Sequence, residues 1–323
     1  MNFPKIGITL GDPGGIGPEV TLKALASKKT LPDANYIIFG SRSLIDEQIE
    51  TLGLHLKIPS LGTENSNFSI SLHEVKHPIK NLKKGCPSKE NGEASFFFFK
   101  KAFITARKEE INAIVTAPIS KKSWSSAGIK WAGHTDYISN FYHQAIMSFW
   151  SEKLKVALFT HHIPLKKVFQ KINSKDLLDF FLNLYKNIKN LSRKNYQFLV
   201  AGLNPHAGEN GILGLEEERE IIPAIEKAKK EGMPIIGPFP PDVVFRKGIG
   251  KPDKIIIALY HDQALIPFKL TAFNLGVNVT LGLPFVRTSP DHGTAFDIAG
   301  RGEANPQSMA EAIKLAYTFC VVP

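Results

Sequence analysis

A chain of 323 residues, 43% hydrophobic and 22% charged, can bury a large core and has length for about two domains, which disfavours intrinsic disorder. No stretch approaches the roughly 20 apolar residues of a membrane span, and the two cysteines, Cys86 and Cys320, exclude a disulfide scaffold or a four-cysteine metal site within one chain. Lys and Arg outnumber Asp and Glu by 40 to 30, a formal charge of +10 that points to an anionic partner, nucleic acid or a small phosphate.

In chain order, the segment MNFPKIGITLGD enters a strand-like alternation with none of the basic and apolar regions of a leader, so a cytoplasmic location is expected. Strand character recurs at Ile6 to Leu10, Tyr36 to Phe39, Ala113 to Thr116, Val156 to Thr160, Gln197 to Leu203, Lys254 to Tyr260 and Asn278 to Leu281. Helix-length segments lie between them at Pro18 to Ala26, Ser43 to Leu52, Glu93 to Lys108, Ser174 to Lys186, Glu216 to Glu231 and Gln307 to Phe319. Strands alternating with helices predict an α/β architecture. Ser60 to Asn91 is the least regular stretch, with a candidate strand at Phe68 to Leu72. The run Phe96 to Phe99 covers every side of one helical turn and reads as a buried helix or a subunit contact. Lysine pairs such as Lys28-Lys29, Lys121-Lys122 and Lys166-Lys167 form no basic arm and read as solvated helix faces.

Three of the ten histidines stand at or just beyond the ends of apolar strands: His162 after VALFTH, His206 after FLVAGLNP and His261 after IIIALY. Ligands of open α/β sheets gather beyond the carboxyl ends of strands, so the three imidazoles are candidates for one metal site. Taken singly, each also reads as a surface or structural histidine. Neutral nitrogen ligands with open positions around them suit Lewis-acid chemistry on an alcohol or carbonyl oxygen. His161 points to the opposite face if its strand continues. Around the same strand ends lie Asp262 and Lys269 in HDQALIPFK, Asn278 and Arg287 in NVTLGLPFVRTSP, and His134 and Thr135 in GHTDYIS, a set suited to a phosphate or carboxylate or, residue by residue, to surface pairs and caps. The strand-to-helix turn GDPGGIGPE, with Gly11 and Asp12, matches neither GxGxxG nor GxxxxGK[ST]. A Gly- and Ala-rich segment, SPDHGTAFDIAGRGEANP, precedes the last helix.

GDPGGIGPE together with HGTAFDIAGRGEANP resembles the isocitrate and isopropylmalate dehydrogenase superfamily, which binds NAD(P) at a non-Rossmann site. Read with GHTDYIS, LNPHAGENG, GPFPPD, YHDQALIPFK and NVTLGLPFVRTSPDHGTAFDIAG, the chain from Lys5 to its final helix resembles the 4-hydroxythreonine-4-phosphate dehydrogenase family. The resemblance implies oxidation of 4-phosphooxy-L-threonine by NAD or NADP to a 3-keto acid. That acid decarboxylates to 3-amino-2-oxopropyl phosphate, in pyridoxine 5'-phosphate biosynthesis.

It implies metal ligands at His162, His206 and His261, holding zinc, cobalt or magnesium, and three imidazoles favour the first two. It implies substrate contacts at His134, Thr135, Lys269, Asn278 and Arg287. Cofactor contacts are expected at Gly11, Asp12, His292, Gly293, Thr294, Asp297 and Asn305. Asp242, Asp262 and Lys269 stay open as candidates for the proton acceptor. The implied architecture is a two-domain α/β fold, 1–125 plus 300–323 and 126–299, with the active site in the cleft and at a homodimer interface. The partners expected are a small phosphorylated substrate and a second copy, with neither nucleic acid nor membrane. The family commonly carries Ala at Gly14, Glu at Asp136 and Thr at His161. Related enzymes acting on 4-phospho-D-threonate, 4-phospho-D-erythronate or cis-dihydrodiols share these motifs; a nucleic-acid-binding protein or a metal-dependent hydrolase are readings from other classes.

Overall fold

In the computed structural model, which describes residues 3–27, 30–62, 69–75, 81–272 and 275–321, the chain divides into two units: Met1–His143 with Leu283–Val322, and Gln144–Gly282. The first unit holds strands β1 (Lys5–Thr9), β2 (Asn35–Gly40), β3 (Ile70–Glu74), β4 (Ala113–Thr116) and β11 (Val286–Pro290), ordered β3-β2-β1-β4-β11 and parallel throughout. Nearly every residue of β1, β4 and β11 is buried, as a parallel sheet covered on both faces requires. Helices α1 (Gly17–Ala26), α2 (Arg42–Thr51), α3 (Lys89–Arg107) and α11 (Gln307–Val321) supply the cover. α3 begins at Ser88, whose hydroxyl accepts the Asn91 N–H at 3.1 Å, and it carries the phenylalanine run: Phe96, Phe98 and Phe99 are buried while Phe97 is 36% exposed.

The second unit contains β5 (Ile146–Trp150), β6 (Lys155–Leu158), β7 (Gln197–Ala201), β8 (Ile235–Phe239), β9 (Lys254–Ala258) and β10 (Val277–Leu281), ordered β10-β5-β6-β9-β7-β8. β5 runs antiparallel to both neighbours, whereas β6, β9, β7 and β8 are parallel. One core of this unit joins Phe149, Val156, Leu199 and Ile256 from the strands to Val244 of α9 (Pro241–Gly248) and to Ala264, Leu265 and Phe268 of α10 (His261–Ala272).

The unit limits differ from the expected 1–125 plus 300–323 and 126–299. Two long-range attachments move them. α5 (His134–Ser139) packs its Tyr137 ring 5.4 Å from Phe99 and 5.2 Å from Phe103 of α3, and β11 pairs in parallel with β4. Strands β5, β8 and β11, and helices α4 (Lys121–Ser126), α6 (Leu165–Lys171), α9 and α10, were not among the expected elements. α10 is hidden in sequence by Pro267, a residue that disfavours helix interiors. Of the expected strand at Phe68 to Leu72, Phe68 lies outside the described residues, as do Lys28 and Lys29, and the strand formed is β3.

Candidate active site

β6, β9 and β7 are neighbouring parallel strands, and His162, His261 and His206 follow their carboxyl ends in that spatial order. With roughly 4.8 Å between adjacent strands, one edge of one sheet gathers all three residues. The rings of His162 and His261 lie 5.6 Å apart. Nδ1 of His261 is 2.7 Å from Oδ1 of Asp262, so an ionised Asp262 holds the proton on Nδ1 and leaves the Nε2 lone pair available to a cation. His206 is exposed on the next loop and does not complete a cluster: no group of three His, Cys, Asp or Glu side chains set to hold a metal occurs among the described residues.

β6 ends at Leu158, so strand alternation does not reach His161. His161 is half-buried, its ring is 5.1 Å from that of His162, and its Nδ1 is buried without a hydrogen-bond partner among the described residues. Burial, reinforced by His261, pushes its pKa below the ordinary value. The loop bearing His206 has positive φ at six consecutive residues, His206 to Gly211. Left-handed backbone costs roughly 1 to 2 kcal/mol per non-glycine residue, so this conformation needs support.

In the first unit, Arg287 on β11 is 3% exposed and donates from Nη2 to Oγ1 of Thr116 at 2.7 Å. Burial brings its pKa down to about 10, so it stays charged. Nη2 also faces Nδ1 of His134 at 3.5 Å. A guanidinium can only donate, which makes Nδ1 the acceptor and puts the proton of a neutral ring on Nε2. That Nε2 is buried with no partner among the described residues. The Phe99 ring lies 4.5 Å from the His134 ring, and Trp124 meets its edge at 5.5 Å. The aromatic wall comes from the phenylalanine run and from α4, two sequence features not connected with the site beforehand. A buried cation beside a neutral N–H donor suits an oxyanion. Thr135 follows at the start of α5, half-buried, and Asp136 fixes the approach by accepting the Ala132 N–H at 2.9 Å.

The segments expected at the cofactor are partly joined. Gly11 and Asp12 are fully buried and hold the turn: a Cβ on Gly11 would fall 2.3 Å from the Pro118 carbonyl, and Oδ1 of Asp12 accepts the Gly14 N–H at 2.9 Å. Gly14 is not a looser version of alanine here, because a Cβ would meet Nδ2 of Asn91 at 2.2 Å. Thr294 joins this turn by accepting the Ile16 N–H at 2.9 Å. His292 has a buried Nε2 without a partner among the described residues, and a Cβ at Gly293 would meet nothing within 4 Å. Asp297 and Asn305 are exposed, and Asn305 accepts the Gln307 N–H at the start of α11. In the second unit, Asp242 is exposed in the first turn of α9, Lys269 is exposed on α10, and Asn278 is half-buried in β10.

The His134 pocket has a consequence for stability. Burial first, then the charge of Arg287, holds the His134 pKa well below 6.5. Between the depressed value and 6.5 the unfolded chain binds a proton that the folded protein excludes, so stability rises with pH across that window and is lost on acidification. Denaturant unfolding from about pH 7.5 to about pH 5.5 is expected to carry a slope of up to about 1.4 kcal/mol per pH unit from this group. His134→Asn should flatten it, and an unchanged slope would assign the proton to another residue.

Comparison with known proteins agrees with the motifs. Residues 32–316 match the family described as Pyridoxal phosphate biosynthetic protein PdxA. The 4-hydroxythreonine-4-phosphate dehydrogenase of Aquifex aeolicus is 41% identical over 318 residues, 96% of this chain and 97% of the relative. A protein of Halalkalibacterium halodurans assigned as a D-threonate 4-phosphate dehydrogenase is 37% identical, covering 98% of this chain and 97% of the relative. The crystal structure of 4-hydroxythreonine-4-phosphate dehydrogenase from Klebsiella pneumoniae superposes with a TM-score of 0.85 at 32% identity, over 98% of this chain and 99% of that one.

Proposed function

The chain belongs to the pyridoxal phosphate biosynthetic protein PdxA family, and from that premise we propose that it oxidises 4-phosphooxy-L-threonine with NAD or NADP. The product is a 3-keto acid that loses CO₂ to give 3-amino-2-oxopropyl phosphate, in pyridoxine 5'-phosphate biosynthesis. The observation that carries this reading is the delivery of His162, His261 and His206 by the carboxyl ends of three neighbouring parallel strands. Full-length likeness to relatives named for this activity supports the substrate class.

The donor chemistry fits a divalent metal: His261 is oriented through Asp262 with Nε2 available, His162 lies beside it, and His206 is the third nitrogen. Bound there, zinc, cobalt or magnesium would supply Lewis acidity toward the substrate hydroxyl and the ketone formed from it. Arg287, His134 and Thr135 bind anionic groups of the substrate, with Lys269 and Asn278 adding polar contacts. The orphaned Nε2 of His292 and the open space at Gly293 fit a nicotinamide nucleotide, and Thr294, Asp297 and Asn305, which follow along the chain, are the further contacts proposed for it. Asp242 and Lys269 remain the candidates for taking the hydroxyl proton. Asp262 is already engaged with His261 and serves better to orient that ring.

The relative assigned to D-threonate 4-phosphate supports a second reading, a dehydrogenase for a phosphorylated acid that carries a hydroxyl where phosphooxythreonine carries its amino group. Purified protein assayed at 340 nm with each phosphorylated acid, and with NAD and NADP in turn, separates the two. Faster turnover of 4-phosphooxy-L-threonine is expected. Reduction of the nucleotide by neither acid would overturn both readings.

A homodimer with shared active sites and a cytoplasmic location complete the proposal. Ile266 and Leu270, one turn apart on α10, are 62% and 83% exposed, an apolar pair suited to a second copy. The double substitution Ile266→Glu, Leu270→Lys is expected to convert the dimer to monomer in sedimentation velocity, and an unchanged mass would exclude this face. Among the described residues no helix is long and apolar enough to cross a membrane, and both cysteines are free, which fits a reducing compartment.

A further inference from the structure

We propose that Glu217 is the positioning residue for His206, its buried carboxylate gripping the amides at the entrance of the left-handed loop so that the backbone carrying the third imidazole is held before a cation arrives. The proposal rests on the reading of His206 as a metal-binding group.

Glu217 is 1% exposed. Its Oε1 accepts the backbone N–H of Leu203 at 2.7 Å and of Asn204 at 2.8 Å, and its Oε2 accepts Nδ2 of Asn204 at 2.8 Å. The backbone is built around this carboxylate: a Cβ on Gly202 would come within 3.2 Å of Oε1, and one on Gly208 within 2.9 Å of Oε2. His206 lies between those two glycines. The helix that presents Glu217 opens with a π-turn, Glu217–Ile221, which continues into α8 (Ile222–Lys230). Such turns alter the aim of a side chain relative to a regular helix. Gln263 braces the adjoining strand ends, donating from Nε2 to the Gly202 carbonyl at 2.7 Å and accepting the Leu259 N–H at 2.7 Å. The loop after β7, which carries His206, and the start of α10, which carries His261, are thereby tied to one framework.

A carboxylate is needed because all three of its partners are N–H donors. In Glu217→Gln the side-chain carbonyl can still accept the two backbone amides, but its NH₂ then faces Nδ2 of Asn204, donor against donor. Asn204 can relieve the clash only by flipping, which gives up its 2.7 Å bond to Oε2 of Glu216.

The test uses full-length wild type, E217Q, H206A and the double variant, titrated with Co(II) and followed by visible absorption, together with hydrogen exchange of the 203–211 segment in metal-free protein. E217Q is expected to weaken Co(II) binding by about 10- to 100-fold, the range for groups that orient metal ligands. It should also speed exchange of the loop and add no further loss in the H206A background. Equal losses in both backgrounds, or Co(II) binding by E217Q as tight as wild type while H206A loses it, would overturn the role of Glu217 alone. H206A binding Co(II) like wild type would overturn the reading of His206 and the proposal with it. If E217Q does not fold, N204A, which removes a single side-chain donor, should show the same non-additive pattern with a loss of several-fold, and an additive loss would overturn it.

Discussion

His206→Ala is expected to abolish metal retention and reduce turnover by about 10³-fold while the protein still folds. The kinetic figure follows from Lewis-acid stabilisation of several kcal/mol at tenfold per 1.4 kcal/mol. The small effect on folding follows from exposure: the imidazole is at the surface, where substitutions usually change stability by no more than about 0.5 kcal/mol. Metal analysis after dialysis, paired with circular dichroism, checks both halves. His161→Thr is the informative companion, since His161 adjoins His162 but keeps its Nδ1 buried. It should retain metal. If H206A held its full metal complement and activity and H161T lost them, the third nitrogen ligand would be His161.

Arg287→Met should reduce kcat/KM for the phosphorylated substrate by about 30- to 5,000-fold, expressed mainly in KM. Truncating one member of a buried charge pair costs about 2 to 5 kcal/mol, and Arg287 is 3% exposed with Nη2 directed at Thr116 and His134. Stability should change little, because an apolar side chain of similar length avoids the desolvation of a buried cation. Arg287→Lys keeps the charge without the planar fork and should lie between the two. Steady-state kinetics with the phosphorylated acid varied, then the nucleotide varied, separates substrate binding from cofactor binding. A KM for the acid unchanged in R287M would remove Arg287 from the anion site.

The histidines illustrate how far local signals reach. VALFTH, FLVAGLNP and IIIALY mark strand ends by their apolar runs, but no spacing rule joins residues 44 and 55 positions apart. That β6, β9 and β7 are neighbours is a fact of sheet order. Arg287 and His134 are 153 residues apart and meet because β11 lies against β4 while α5 lies against α3. Glu217 gave no local signal, since an acidic run in a helix reads as a solvated face until the π-turn directs one member inward. The glycine-rich turn at Gly11 and Asp12 shows in sequence only as a turn; that the Pro118 carbonyl lies where a Cβ on Gly11 would stand is decided by the packing of distant backbone.

The sequence by itself determined the α/β class, most of the buried strands, the principal helices and the candidate site residues, because these are written in short-range hydrophobic period, in turn chemistry and in contiguous motifs. Only the tertiary structure decided where the two units divide, that His162 and His261 approach while His206 stands on a left-handed loop, and that a buried glutamate grips that loop. Those outcomes depend on strand order and on hydrogen bonds between distant segments. Such contacts are selected by the packing of the whole unit, and no local stretch of chain encodes them.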